Sequence, residues 1–177
     1  MGKFLSLILI LSGLAAGGAM YYLQVYGFYD DVELQPGRDV VLTPLGGGEP
    51  LPIRYSGFEA IDAGSSPIRY RACFSTDLKP DELAQLFVLS DQDMPRNAPG
   101  WFDCFDAEAV ADALAEGRAR SFVSQKNVAY GVDRIIAITN EGRGYVWHEL
   151  NDCGKKAYDG TVVGEECPPR PAAEETN

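Results

Sequence analysis

Phe4-Leu5-Ser6-Leu7-Ile8-Leu9-Ile10-Leu11-Ser12-Gly13-Leu14-Ala15-Ala16-Gly17-Gly18-Ala19-Met20-Tyr21-Tyr22-Leu23-Gln24-Val25-Tyr26-Gly27-Phe28 is one uncharged run, apolar but for Ser6, Ser12 and Gln24. A membrane-spanning helix needs about 20 mostly apolar residues, and this run supplies them. Lys3 lies before it, and Asp30, Asp31 and Glu33 follow it. The excess of positive charge on the amino-terminal side predicts that this end stays in the cytoplasm and the bulk of the chain faces outward.

A cleaved secretory signal would share the positive start and would leave through small residues such as Leu14-Ala15-Ala16-Gly17-Gly18-Ala19. The run continues past that exit into Met20-Tyr21-Tyr22-Leu23 and Val25-Tyr26-Gly27-Phe28-Tyr29. An aromatic cluster of this kind suits the depth at which an anchor leaves hydrocarbon, so an uncleaved anchor over residues 1–29 is the preferred expectation. Gly13 and Gly17 have GxxxG spacing, with Ser12, Ala15, Ala16 and Ala19 nearby, which makes them candidates for close packing against another helix. Met1-Gly2-Lys3-Phe4-Leu5-Ser6 fits the myristoylation pattern, a match read as coincidence with a spanning helix directly behind it.

Working outward from the anchor, roughly 150 residues remain, the size of one domain. Nearly all of the net charge of −11 falls there, which disfavours nonspecific nucleic-acid binding. Cys73, Cys104, Cys153 and Cys167 are an even set in a part expected to lie in an oxidising compartment. Of three connectivities, Cys73–Cys104 with Cys153–Cys167 is favoured because each closes a local loop. None forms a CxxC pair, and His148 is the lone histidine, so neither a zinc site nor a thioredoxin-like role is expected.

Asp39 to Thr43 reads as a first strand, followed by a loop at Pro44-Leu45-Gly46-Gly47-Gly48-Glu49-Pro50. No Gly-Lys-Ser/Thr follows those glycines, so they make no phosphate cradle. Pro-Ile-Arg-Tyr occurs at residues 52–55 and again at 67–70, with Ala63-Gly64-Ser65-Ser66 between the flanking strands as the turn of an expected hairpin. In its second strand Ile68, Tyr70, Ala72 and Phe74 alternate with Arg69, Arg71 and Cys73, the period of a half-buried strand. Pairing about that turn predicts Arg69 near Glu59. Arg54, Arg69 and Arg71 are then either a cationic face for an anion or an acidic partner, or ordinary cross-strand pairs on a solvated face.

Thr76 to Glu82 opens a helix, with Pro80 early and Asp81 and Glu82 at its positive end; Leu83, Leu86 and Phe87 continue it. Ser90 to Gly100 holds two prolines and a glycine and is the longest irregular loop. Trp101, Phe102 and Phe105 surround Cys104, so the loop is expected to be tethered by a disulfide, with Trp101 and Phe102 as candidate interaction residues or as core. Asp91 and Asp93 lack the glycine and glutamate of a calcium loop. Asp106 is a natural cap for a second helix, Ala107 to Glu116, which Gly117 stops. Short strands are expected at Ser121–Ser124, Val128–Tyr130, Arg134–Thr139 and Tyr145–Leu150, the last two joined by a hairpin at Asn140–Gly144. Pro168 to Asn177 has the composition of a disordered tail.

Catalytic constellations do not emerge. Glu149 is adjacent to His148 on a strand and points to the other face, HExxH is absent, and neither Ser nor Cys stands in a nucleophile-elbow setting. Among 26 acidic residues some pair always lies at a workable distance, so paired carboxylates carry no signal for glycoside hydrolysis.

Met1-Gly2-Lys3, Met20-Tyr21-Tyr22-Leu23-Gln24-Val25-Tyr26 and Tyr70-Arg71-Ala72-Cys73-Phe74 together resemble a family of small membrane-anchored alphaproteobacterial proteins of unknown function, over the length of the chain. The resemblance implies a bacterial inner-membrane setting and no activity. Some such proteins carry a histidine-kinase label, whereas this sequence has no glycine-rich lid, catalytic aspartate loop or nucleotide-binding asparagine motif.

The sequence thus predicts an α+β chain: one amino-terminal transmembrane helix, then a small antiparallel sheet with two short helices over residues 30–167, and a tail at 168–177. It is expected to act in the periplasm as a single-pass accessory or interaction protein, without catalysis, cofactor, metal or nucleic acid, its partners being the bilayer and another membrane or periplasmic protein. The alternative is a periplasmic small-ligand or anion binder, or an enzyme, using the Arg54/Arg69/Arg71 face.

Overall fold

The computed structural model describes residues 2–169 of the chain. Helix α1, Gly2–Tyr22, has no buried residue, and a π-helical turn, Leu23–Gly27, ends it. Together they make one helix long and apolar enough to cross a membrane by length and composition. The α-helical part, 21 residues, rises about 32 Å, close to the roughly 30 Å of bilayer hydrocarbon.

Beyond it, strands β1 (Asp30–Asp31), β4 (Ser56–Asp62), β5 (Arg71–Ser75), β6 (Ala119–Ala129), β7 (Val132–Thr139) and β8 (Arg143–Leu150) form one sheet in the order β1-β4-β5-β8-β7-β6. Every neighbouring pair is antiparallel. Strands β2 (Val41–Leu42) and β3 (Leu51–Pro52) pair separately. Helix α2 is Pro80–Leu83 and helix α3 is Ala107–Ala115. This is the expected class: a long apolar helix, a small antiparallel sheet and two short helices.

The alternation along the strands sends side chains to two cores rather than one. Ala72, Phe74, Ile136, Ile138 and Val146 pack on one face with Val40, Leu42, Ile53 and Leu83 from the β2–β3 layer and α2. Cys73, Ile135, Ala137 and Trp147 face the other way, against Phe102, Phe105, Ala107 and Val110 from the disulfide loop and α3. The half-buried strand expected from period 2 is therefore buried on both faces, because α3 and the loop before it cover what the pattern leaves for solvent. Packing is close across β5 and β8: Phe74 lies opposite Gly144, and a Cβ on Gly144 would overlap the Phe74 ring.

The hairpin of β4 and β5 forms, but in another register. Glu59 lies opposite Cys73 and Ile61 opposite Arg71, so Arg69 is not beside Glu59 but in the connection. Two successive turns, with Ser66 N–H donating to Ala63 O and Arg69 N–H to Ser66 O, lengthen that connection to Tyr70. Helix α2 is also shorter than expected. After Leu83 the chain is drawn into strand-like pairing, with Val88 N–H on Thr43 O and Val123 N–H on Val88 O, and Leu86 is left exposed. These bonds, with Thr43 N–H on Val123 O and Ser90 N–H on Ser121 O, cover the outer edge of β6. The two strands expected at Ser121–Ser124 and Val128–Tyr130 fall in one strand that ends at Ala129, with Tyr130 in the following turn, and it is bent by irregularities at Val123–Ala129 where Asn127 has φ +52°. Asp106 caps α3, its Oδ1 accepting from Ala109 N–H at 3.1 Å, and Gly117 at φ +72° follows the helix. Of the tail expected over Pro168 to Asn177, residues 170–177 lie outside the described residues.

Candidate functional site

The exit of the long helix is where the globular part grips it. A helix end leaves carbonyls without intrahelical donors, and a π-turn shifts the ladder further. Trp101 supplies one donor: its indole N–H lies 2.6 Å from Val25 O. The Trp101 ring stacks on Tyr26 at 6.1 Å and meets Tyr29 edge-on at 5.9 Å, while Tyr22 stacks on Tyr26. Arg69 belongs to the same cluster. Its Nη2 donates to Gln24 Oε1 at 3.1 Å, its guanidinium lies 5.7 Å from the Tyr29 centroid, and its buried Nη1 has no protein acceptor. Phe102, beside Trp101, is instead core.

Arg71 does something different. It is 4% exposed, and its guanidinium donates to four main-chain carbonyls: Arg96 (2.8 Å), Ile68 (3.0 Å), Tyr70 (2.6 Å) and Asn97 (3.1 Å). Desolvation lowers its pKa to about 10, which still leaves it charged at neutral pH. With the Cys73–Cys104 disulfide and the Arg96–Glu149 ion pair, Arg71 clamps the loop that carries Trp101. Arg54 lies at the opposite end of β5, paired with Asp77 at 3.1 Å and well exposed, one strand length of about 13 Å away. The structure therefore does not bring Arg54, Arg69 and Arg71 onto one face: one is a surface ion pair, one joins the helix exit, and one is a buried clamp.

His148 is buried, with both ring nitrogens engaged. Nε2 accepts from Arg134 Nε at 3.0 Å, which makes Nδ1 the protonated nitrogen, donating to Pro67 O at 2.6 Å. The ring stacks on Tyr70 at 4.7 Å, and the Arg134 guanidinium lies 4.4 Å from the Tyr70 centroid. Burial, and then the Arg134 charge, push the His148 pKa down to about 4. Glu149 points away from it to Arg96, as strand alternation requires.

A cleft of about 430 Å³ lies between the Val88–Gln92 segment and the Leu150–Asp152 turn, rimmed by Asp91, Asp152 and Glu165. Its buried carboxylate, Asp133, is structural: Oδ1 accepts from Asn127 N–H (2.8 Å) and Asn151 Nδ2 (2.7 Å), holding Asn127 in its left-handed conformation. Lys126 pairs with Glu165 at the rim. Among the described residues no group of three or more His, Cys, Asp or Glu is arranged to hold a metal ion.

Disulfides join Cys73 to Cys104 and Cys153 to Cys167, the connectivity favoured on loop closure. A Cβ on Gly13 or Gly17 would meet nothing within 4 Å, so that side of α1 is open. Tyr26, Tyr29, Gln24 and Arg134 were not singled out in the sequence. Tyr26 and Tyr29 were legible only as part of an aromatic cluster, and nothing local marks the reach of Trp101 across 76 residues to Val25.

No curated protein matches the chain, and no solved structure does. Residues 40–168, most of the globular part and none of the long helix, match one described family. The chain belongs to that family, DUF6446, a family of unknown function.

Proposed function

We propose that the chain is a single-pass protein of a bacterial inner membrane, amino terminus inside, which presents its disulfide-bonded part to the periplasm. There it serves other envelope proteins as an accessory or interaction partner, without catalysis. The observation that carries this reading is the helix Gly2–Tyr22, whose apolar side chains are all left exposed by the rest of the protein. Such a surface in water is costly at about 25 cal/mol per Å², and lipid removes the cost. Two disulfides support an oxidising side for the globular part, and Lys3 against Asp30 and Asp31 supports the orientation. The noncatalytic reading is supported by engagement of the reactive groups: His148 by Arg134 and Pro67, Arg71 by four carbonyls.

Membranes from bacterial cells expressing the tagged full chain test it. The chain is expected to resist alkaline carbonate, to be digested by protease added to spheroplasts, and to give crosslinks to other membrane or periplasmic proteins. A soluble mature form beginning near Tyr21 overturns the anchor; an inserted chain that crosslinks to no protein overturns the accessory role.

A further inference from the structure

We propose that the loop carrying Trp101 is a membrane foot, seated among phospholipid headgroups beside the exit of α1, so that the globular part rests on the bilayer rather than swinging from it. This rests on the anchored reading above. If α1 spans, its rise of about 32 Å brings Tyr22 to the edge of the hydrocarbon and places Leu23 to Phe28 in the headgroup layer. The hydrogen bond from Trp101 to Val25 O then holds the loop itself at that depth, although it lies 76 residues along the chain.

The chemistry of the cluster fits that layer. Trp and Tyr favour the membrane–water interface because an apolar ring carries one polar group. Tyr26, stacked on Trp101, remains 44% exposed and Phe28 40%. Arg69 adds a cation held at the helix exit by Gln24 and by the Tyr29 ring. Asp30, Asp31 and Asp103, all exposed, flank the cluster, so attraction to anionic lipid does not drive the contact. A zwitterionic headgroup layer is the surface it fits. The foot is also rigid: the disulfide to Cys73, the Arg96 and Asn97 carbonyls on Arg71 and the Arg96–Glu149 pair tie the loop to the sheet.

The chain has two tryptophans, and Trp147 is 0% exposed, so quenchable emission reports on Trp101. The full chain is reconstituted in phosphatidylcholine vesicles bearing a nitroxide on the headgroup or at the acyl-chain end, and acrylamide is added to unlabelled vesicles. The expected result is quenching by the headgroup nitroxide, little by the chain-end nitroxide or acrylamide, and loss of the quenchable emission in Trp101→Phe. The wild-type pattern alone decides the matter if that variant does not fold. A chain that resists carbonate while its emission is quenched by acrylamide and not by the headgroup nitroxide overturns the foot and leaves the anchor standing. Release by carbonate overturns both.

Discussion

Arg71 carries a positive charge in the interior with carbonyl dipoles and the Phe105 ring, 5.8 Å away, around its guanidinium. Only a planar fork reaches carbonyls of residues 68, 70, 96 and 97 together, and a lysine ammonium is a point donor. Arg71→Lys is therefore expected to destabilise the fold by about 2 kcal/mol or more, through carbonyls left unpaired in the interior, as read from the urea midpoint. His148 predicts a pH dependence. Its folded pKa, about 4, lies below the ordinary imidazole value of 6.5, so the unfolded chain binds the extra proton first. Stability contributed by the neutral ring is complete above about pH 6.5, falls as the pH drops toward 4, and is fully lost below that, a total of about 3 kcal/mol. Denaturation midpoints across that window measure the slope, and His148→Gln is expected to flatten it. Neither residue's role was legible in the sequence. Arg71 alternates with core residues and so reads as outward-facing, until α3 and a loop from elsewhere in the chain close over it.

At the scale of elements, local signals were read well where short-range chemistry sets the boundary. Asp106 and Gly117 delimit α3 through one cap and one left-handed glycine, and Gly142 N–H closes the β7–β8 turn onto Thr139 O. Long-range pairing was read poorly. Leu86 and Phe87 continue a helical spacing, yet Phe87 is taken by an antiparallel bridge to Pro44, and a sheet partner outweighs one more helical turn. The register of β4 and β5 depends on a connection whose two turns a tetrapeptide repeat does not reveal. The disulfide loop is the element with the sharpest prediction. Cys73→Ala with Cys104→Ala, which leaves no hydroxyl unpaired, is expected to lower stability by about 3–4 kcal/mol from the restored freedom of the unfolded chain. It is also expected to raise amide hydrogen exchange over residues 96–104, measured against α3.

For the molecule as a whole, the division between helix and globular part was plain from hydropathy, while their junction was not. Gly13 and Gly17 stand open on α1, and small residues there let a second helix approach closely. If a partner helix docks on that side, the double substitution Gly13→Ile, Gly17→Ile is expected to abolish crosslinks through α1 and spare those made by the globular part. The family match, residues 40–168, takes in Arg69 and Trp101 on the globular side of that junction. The covered rim of β6 bears on how copies would coexist side by side if α1 anchors them in a crowded membrane. One margin of the sheet is sealed by Thr43, Val88 and Ser90, and the other ends in two-residue β1 and a bulge at Gly57 beside exposed Glu59. Neither offers a long flat template for main-chain pairing, so copies brought together at high density are kept from knitting into fibrils.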